Sequence, residues 1–99
     1  MKMTRNEQVV CADGFNMSVQ ANNSAYCSPR TTGADRYEAV EVGFPSEREE
    51  LLMPFAEDAD VPTRTVYGWV PSNTVALVCA KHGGVVSGEL PAGVPRLIA

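Results

Sequence analysis

The stretch VVCADGFNMSVQA, Val9 to Ala21, admits few folds. Asp13-Gly14 between two apolar segments is a strong hairpin signal, because glycine reaches positive φ at no steric cost. After it, Phe15, Met17, Val19 and Ala21 alternate with Asn16, Ser18 and Gln20. That period of two describes a strand with one buried and one wet face. Residues 8–21 therefore read as a β-hairpin, which commits the chain to an antiparallel sheet. With 99 residues in all, one domain with one modest core is expected.

Further elements follow the same logic. Residues 1–7 read as a flexible arm. Residues 22–36 are polar and rich in Asn, Ser, Pro and Gly, a loop long enough to carry a role. Tyr37 to Phe44 forms a third strand, with Val40, Val42 and Phe44 on one face. Pro45-Ser46 opens a first helix: Ser46 and Glu49 fit a capping box, Leu51, Leu52 and Phe55 give an apolar side, and Pro54 ends it. Thr65 to Val70 is a fourth strand, with Tyr67 and Trp69 on one face, Val66 and Val70 on the other, and a bulge or a close backbone approach expected at Gly68. A stronger helix runs from about 72 to 82. Val75, Val78, Cys79 and His82 make its apolar stripe, and Gly83-Gly84 its stop. The tail 85–99, with Gly88, Pro91, Gly93 and Pro95, is expected to be extended, with Leu97 and Ile98 available to a sheet edge. The predicted fold is α+β: a small antiparallel sheet of three to four strands packed against two helices, in the order ββ(loop)βαβα.

Charge narrows the function. Twelve acidic against eight basic residues give a net charge of −4, which argues against direct nucleic-acid binding, since that needs a basic face. The one basic cluster, Lys2 and Arg5, lies in the N-terminal arm. The N-terminus lacks the apolar run of a signal peptide, and VALVCA is far shorter than the ~20 residues that span a bilayer. A soluble cytosolic chain with three reduced thiols is expected, with no membrane partner.

Chemical constellations are sparse. Cys11, Cys27, Cys79 and His82 are soft ligand types, but no C-x2-C knuckle occurs. Cys27 beside Arg30, with His82 as the sole histidine base, sets the pattern for a nucleophile or a small-ligand or metal site. The glycines of KHGG follow a helix, where they cap it, and so do not form a phosphate loop. No catalytic residues, metal or cofactor are assigned. Tyr26, Arg30, Arg36 and Tyr37, in or beside the long loop, together with Tyr67 and Trp69, are the residue types that dominate protein interfaces. The first four are the candidate partner-binding residues.

The motifs DGFNMSVQA, YCSPR, YEAVEVGFPSE, MPFAED and TVYGWVP followed by AKHGG resemble a group of small uncharacterised proteins of tailed bacteriophages and prophages. The similarity runs from Val9 to Gly84, with the motifs in one order. It departs at Ser72 and Asn73, where the group often carries an acidic or apolar residue, and in the tail 85–99, which continues past the usual end. The resemblance implies a phage-encoded accessory protein made in the host bacterial cytoplasm. It carries no catalytic residues over. The expected function is binding and inhibiting or redirecting a host protein, most sharply as an anti-defence inhibitor such as an anti-CRISPR. The alternatives are a small-ligand or metal-binding domain using Cys27 and His82, or a minor virion or assembly component. Unpaired sheet edges make a homodimer possible.

Overall fold

A computed structural model describes residues 5–96. Five strands form one antiparallel sheet: β1 (Val9–Cys11), β2 (Asn16–Gln20), β3 (Ala39–Gly43), β4 (Val66–Pro71) and β5 (Val85–Ser87). Their order across the sheet is β4-β3-β2-β1-β5. One α-helix, α1 (Ser72–Lys81), follows β4 directly, and a single 3-10 turn spans Met53–Phe55.

The hairpin forms as its pattern dictates. Val9 pairs with Met17 and Val10 with Asn16, and Phe15, Met17 and Val19 are all buried. The turn closes through Gly14 N–H to the Cys11 carbonyl and Cys11 N–H to the Phe15 carbonyl. The inner face of the sheet packs Val9, Val40, Val42, Tyr67 and Val70 into one cluster with Val75, Val78 and Cys79 of α1 and with Leu52. Burying a Val or Leu side chain contributes roughly 1.5–3 kcal/mol, so this shared cluster is the main source of stability.

Two expectations are overturned. The fold is a mostly-sheet domain of five strands and one helix, not a three- to four-stranded sheet against two helices. The expected first helix after Pro45-Ser46 does not form. Ser46 is taken by the start of β2: its amide donates to the Asn16 carbonyl at 2.8 Å, and its hydroxyl accepts from the Asn16 amide at 3.0 Å. Pro54 leaves too few residues upstream to nucleate a helix against that competition. The segment instead crosses in bends and carries Glu49 into the interior.

The tail also does more than extend. Val85–Ser87 becomes an edge strand on β1, and the chain turns away at Gly88. A Cβ at Gly88 would stand 2.1 Å from the Gln8 carbonyl oxygen, and its φ is +98°, so only glycine fits this approach. Residues 5–7, expected as part of a loose arm, lie along β2: Asn6 N–H donates to Gln20 Oε1 and Asn6 Nδ2 to the Val19 carbonyl. Lys2, Leu97 and Ile98 lie outside the described residues.

The expected bulge in β4 is present. Val40 pairs with Val70 and Val42 with Tyr67, so Glu41 alone faces both Gly68 and Trp69. The extra residue changes the phase of the strand. Tyr67 and Val70 point inward together, while Trp69 turns out to solvent, 52 % exposed with φ +50°.

Candidate functional site

The bulge and the long loop build one surface between them. Tyr26 lies across Gly68, where an added Cβ would stand 3.3 Å from the Tyr26 Cβ. Trp69 N–H donates to the Tyr26 carbonyl at 2.9 Å. Tyr26 N–H donates to Glu41 Oε2 at 3.2 Å. Held at both ends, the Tyr26 ring stacks on Trp69 with centroids 5.0 Å apart and planes 24° from parallel. On Tyr26 lies the Arg30 guanidinium, 5.5 Å from the ring centroid, with Nη2 donating to the Ser24 carbonyl at 3.2 Å. Trp69, Tyr26 and Arg30 thus form an exposed ledge on the outer sheet face, opposite the core. Beside it opens a shallow pocket of about 120 Å³ lined by Arg5, Gln20, Asn22, Ser24, Ala25 and Glu41.

The loop that presents the ledge is folded, not slack. Asn22 Oδ1 accepts the amides of Ser24 and Ala25. Ser28 bridges to Ala39 of β3. Buried Tyr37 donates its hydroxyl to the Thr31 carbonyl at 2.6 Å and accepts the Ala34 amide at 3.2 Å. Of the four candidate contact residues, the structure brings together Tyr26 and Arg30. Tyr37 is the internal tie of the loop, and its ring is not available to a partner. Arg36 is exposed, beside a separate pocket with Glu38, Ser72 and Gly93. Trp69 completes the ledge, though strand alternation puts it with buried Tyr67. Its residue type marks it as a contact candidate, but its outward direction is signalled in the sequence only by the neighbouring Gly68.

A second cluster joins three segments at the margin of the core, with His82 and Glu49 buried and Asp13 half exposed. His82, just past α1, lies between two carboxylates: Nδ1 is 2.6 Å from Asp13 Oδ2 and Nε2 is 2.7 Å from Glu49 Oε1. The ring stacks on Phe15 at 4.0 Å. Glu49, fully buried, also accepts the Leu51 amide and Lys81 Nζ, each at 2.9 Å. Burial disfavours the His82 imidazolium, but the hydrogen bonds and charges of Asp13 and Glu49 outweigh it and raise its pKa. Burial likewise pushes the Glu49 carboxyl up, yet the Leu51 amide, Lys81 and His82 together hold it below the ordinary range. For Asp13 the Phe15 amide and then His82 lower it. Both ring nitrogens of His82 are thus occupied by carboxylate oxygens, an arrangement that favours the protonated ring.

The cysteines are built into the interior. The single S–H of Cys27 lies between the carbonyls of Asn22 and Pro29, with Sγ 3.2 and 3.4 Å from their oxygens, whereas His82 is held by Asp13 and Glu49, so the structure gives these two residues separate partners. Burial, with neighbouring Cys11 adding to it, pushes the Cys79 thiol up to about 12, and burial raises Cys11 as well. Among the described residues, no three His, Cys, Asp or Glu are placed to hold a metal ion, and no helix is long and apolar enough to cross a membrane.

No protein-family model, curated protein or solved structure matches this chain. Function is therefore read from the geometry.

Proposed function

We propose that this chain acts by binding, not catalysis, and that the Trp69–Tyr26–Arg30 ledge docks on a partner protein. One observation carries the proposal: a half-exposed tryptophan is held in a left-handed backbone conformation by a stack that does not serve the core. A bulky residue at positive φ costs on the order of 1–3 kcal/mol. The Tyr26 stack returns about 0.5–1.5 kcal/mol and the Arg30 contact about 0.5–1 kcal/mol. The ledge thus roughly breaks even in the free chain. Its gain comes when the exposed ring faces are covered, and Trp, Tyr and Arg are the residues that contribute most when that happens. The ledge is also preorganised, so little side-chain entropy is lost on docking.

The resemblance to small phage and prophage proteins makes a host bacterial protein the proposed partner. The sharpest form of the proposal is inhibition of a defence system such as CRISPR in the host cytoplasm. The test is affinity capture from bacterial lysate with the tagged wild type and with Trp69→Ala/Arg30→Ala. A stoichiometric partner held by the wild type and lost by the double variant is expected. No stoichiometric partner, or one held equally by a folded double variant, overturns the proposal.

A further inference from the structure

The charges around the ledge indicate what kind of segment it takes. Beside the Trp69–Tyr26 stack lie two guanidiniums, Arg30 over Tyr26 and Arg5 in the adjoining pocket, and the Glu41 carboxylate. The Glu41 carboxylate is partly engaged, since one oxygen accepts the Tyr26 amide. Neither guanidinium has an ion-pair partner among the described residues. Arg30 reaches only the Ser24 carbonyl, and Arg5 only the Ser18 hydroxyl at 3.4 Å. Two guanidiniums without ion pairs against one engaged carboxylate leave this patch locally positive, on a chain whose net charge is −4.

Arg30 lies over Tyr26, and Nη2 alone is tied back to the loop. Its remaining N–H groups are a prepositioned fork for a carboxylate. The face of Trp69 not covered by Tyr26 offers apolar area beside that fork. The pocket next to Arg5, about 120 Å³, takes one short side chain and falls well below the ~300 Å³ of a small-molecule site. The acidic remainder of the chain does not forbid an acidic visitor, since exposed charges beyond about 8 Å are screened at physiological salt.

We propose that the ledge receives an extended acidic segment of the partner protein, with an apolar or aromatic residue against Trp69 and flanking Asp or Glu side chains on Arg30 and Arg5. This rests on the docking role proposed above and adds the chemistry of the ligand. The test is selection of a random dodecapeptide library, displayed on yeast, against immobilised wild type, Trp69→Ala and Arg30→Gln. Both variants change exposed side chains, and their folding is checked by thermal unfolding. The expected result is enrichment of peptides with Asp and Glu in excess over Lys and Arg, no such enrichment on Trp69→Ala, and about tenfold weaker binding of an enriched peptide to Arg30→Gln. Added salt should weaken that binding. Trp69-dependent enrichment of neutral or basic peptides overturns the acidic ligand and leaves the docking role standing. No Trp69-dependent enrichment overturns both.

Discussion

Replacing Glu49 with alanine tests the interior clamp. The wild-type carboxylate accepts three donors: His82 Nε2, Lys81 Nζ and Leu51 N–H. Lys81 is half exposed and turns to water, so its loss costs less than about 1 kcal/mol. The other two donors stay buried. Orphaning each costs about 1–3 kcal/mol, and removing one member of a buried ion pair typically costs about 3–5 kcal/mol in all. We expect Glu49→Ala to lose about 3–5 kcal/mol. Domains of this size have roughly 5–15 kcal/mol in total and lose about 4–8 °C per kcal/mol, so the melting temperature should fall by about 12–40 °C. Glu49→Gln should be milder, at about 1–2 kcal/mol. A neutral His82 can then donate Nδ1–H to Asp13 and accept the carboxamide N–H at Nε2, while the amide oxygen keeps the Leu51 N–H. The same variant should lower the His82 pKa. The assays are thermal and urea unfolding near pH 6 and an NMR titration of the single histidine. A loss below 1 kcal/mol for Glu49→Ala, or equal losses for the two variants, would refute the clamp.

Other outcomes follow from the same geometry. His82 is raised above its ordinary 6.5, so its contribution is complete below that pH and is lost as pH rises through the folded value; Glu49, lowered from 4.5, contributes above 4.5 and is lost as pH falls through its folded value. Urea midpoints should therefore peak between about pH 4.5 and 6.5, and His82→Gln should flatten the alkaline limb. Gly88→Ala drives a Cβ into the Gln8 carbonyl and should strip β5 from β1, which amide exchange at Val85 and Ser87 will read as lost protection. Tyr37→Phe removes two loop hydrogen bonds and should cost about 1–2 kcal/mol in urea unfolding. Trp69→Ala, which loses the Tyr26 stack while its Cβ keeps the positive-φ strain, should cost about 0.5–1.5 kcal/mol in urea unfolding.

What the sequence reveals is mostly local. The Asp13-Gly14 hairpin, the core-facing Val40 and Val42 of β3 and the stripe of α1 follow from short periodic patterns and stand in the structure, whereas Phe44, expected on the Val40 face, is 51 % exposed with φ +49°, and simple alternation fails in β4. The failures arise where a distant partner competes. Ser46 and Glu49 spell a helix cap, but Asn16 takes the serine and His82 and Lys81 take the glutamate, which no local pattern encodes. Val85–Ser87 is too short a run between glycines to read as a strand until β1 lies beside it. At the ledge, residue type alone identifies Tyr26 and Arg30. Trp69 needs the bulge, because one extra residue in β4 reverses which side chains face out. Tyr37 has the composition of a contact residue, yet its hydroxyl ties the loop from within.

The central claim is that a partner covers Trp69. Site-specific photo-crosslinking tests it most directly: benzoylphenylalanine is placed at position 69, and separately at Leu77, which is equally exposed on α1. The account predicts a discrete crosslinked species in bacterial cells from position 69 and none from position 77. A crosslink from position 77 alone, or none from position 69, would contradict it.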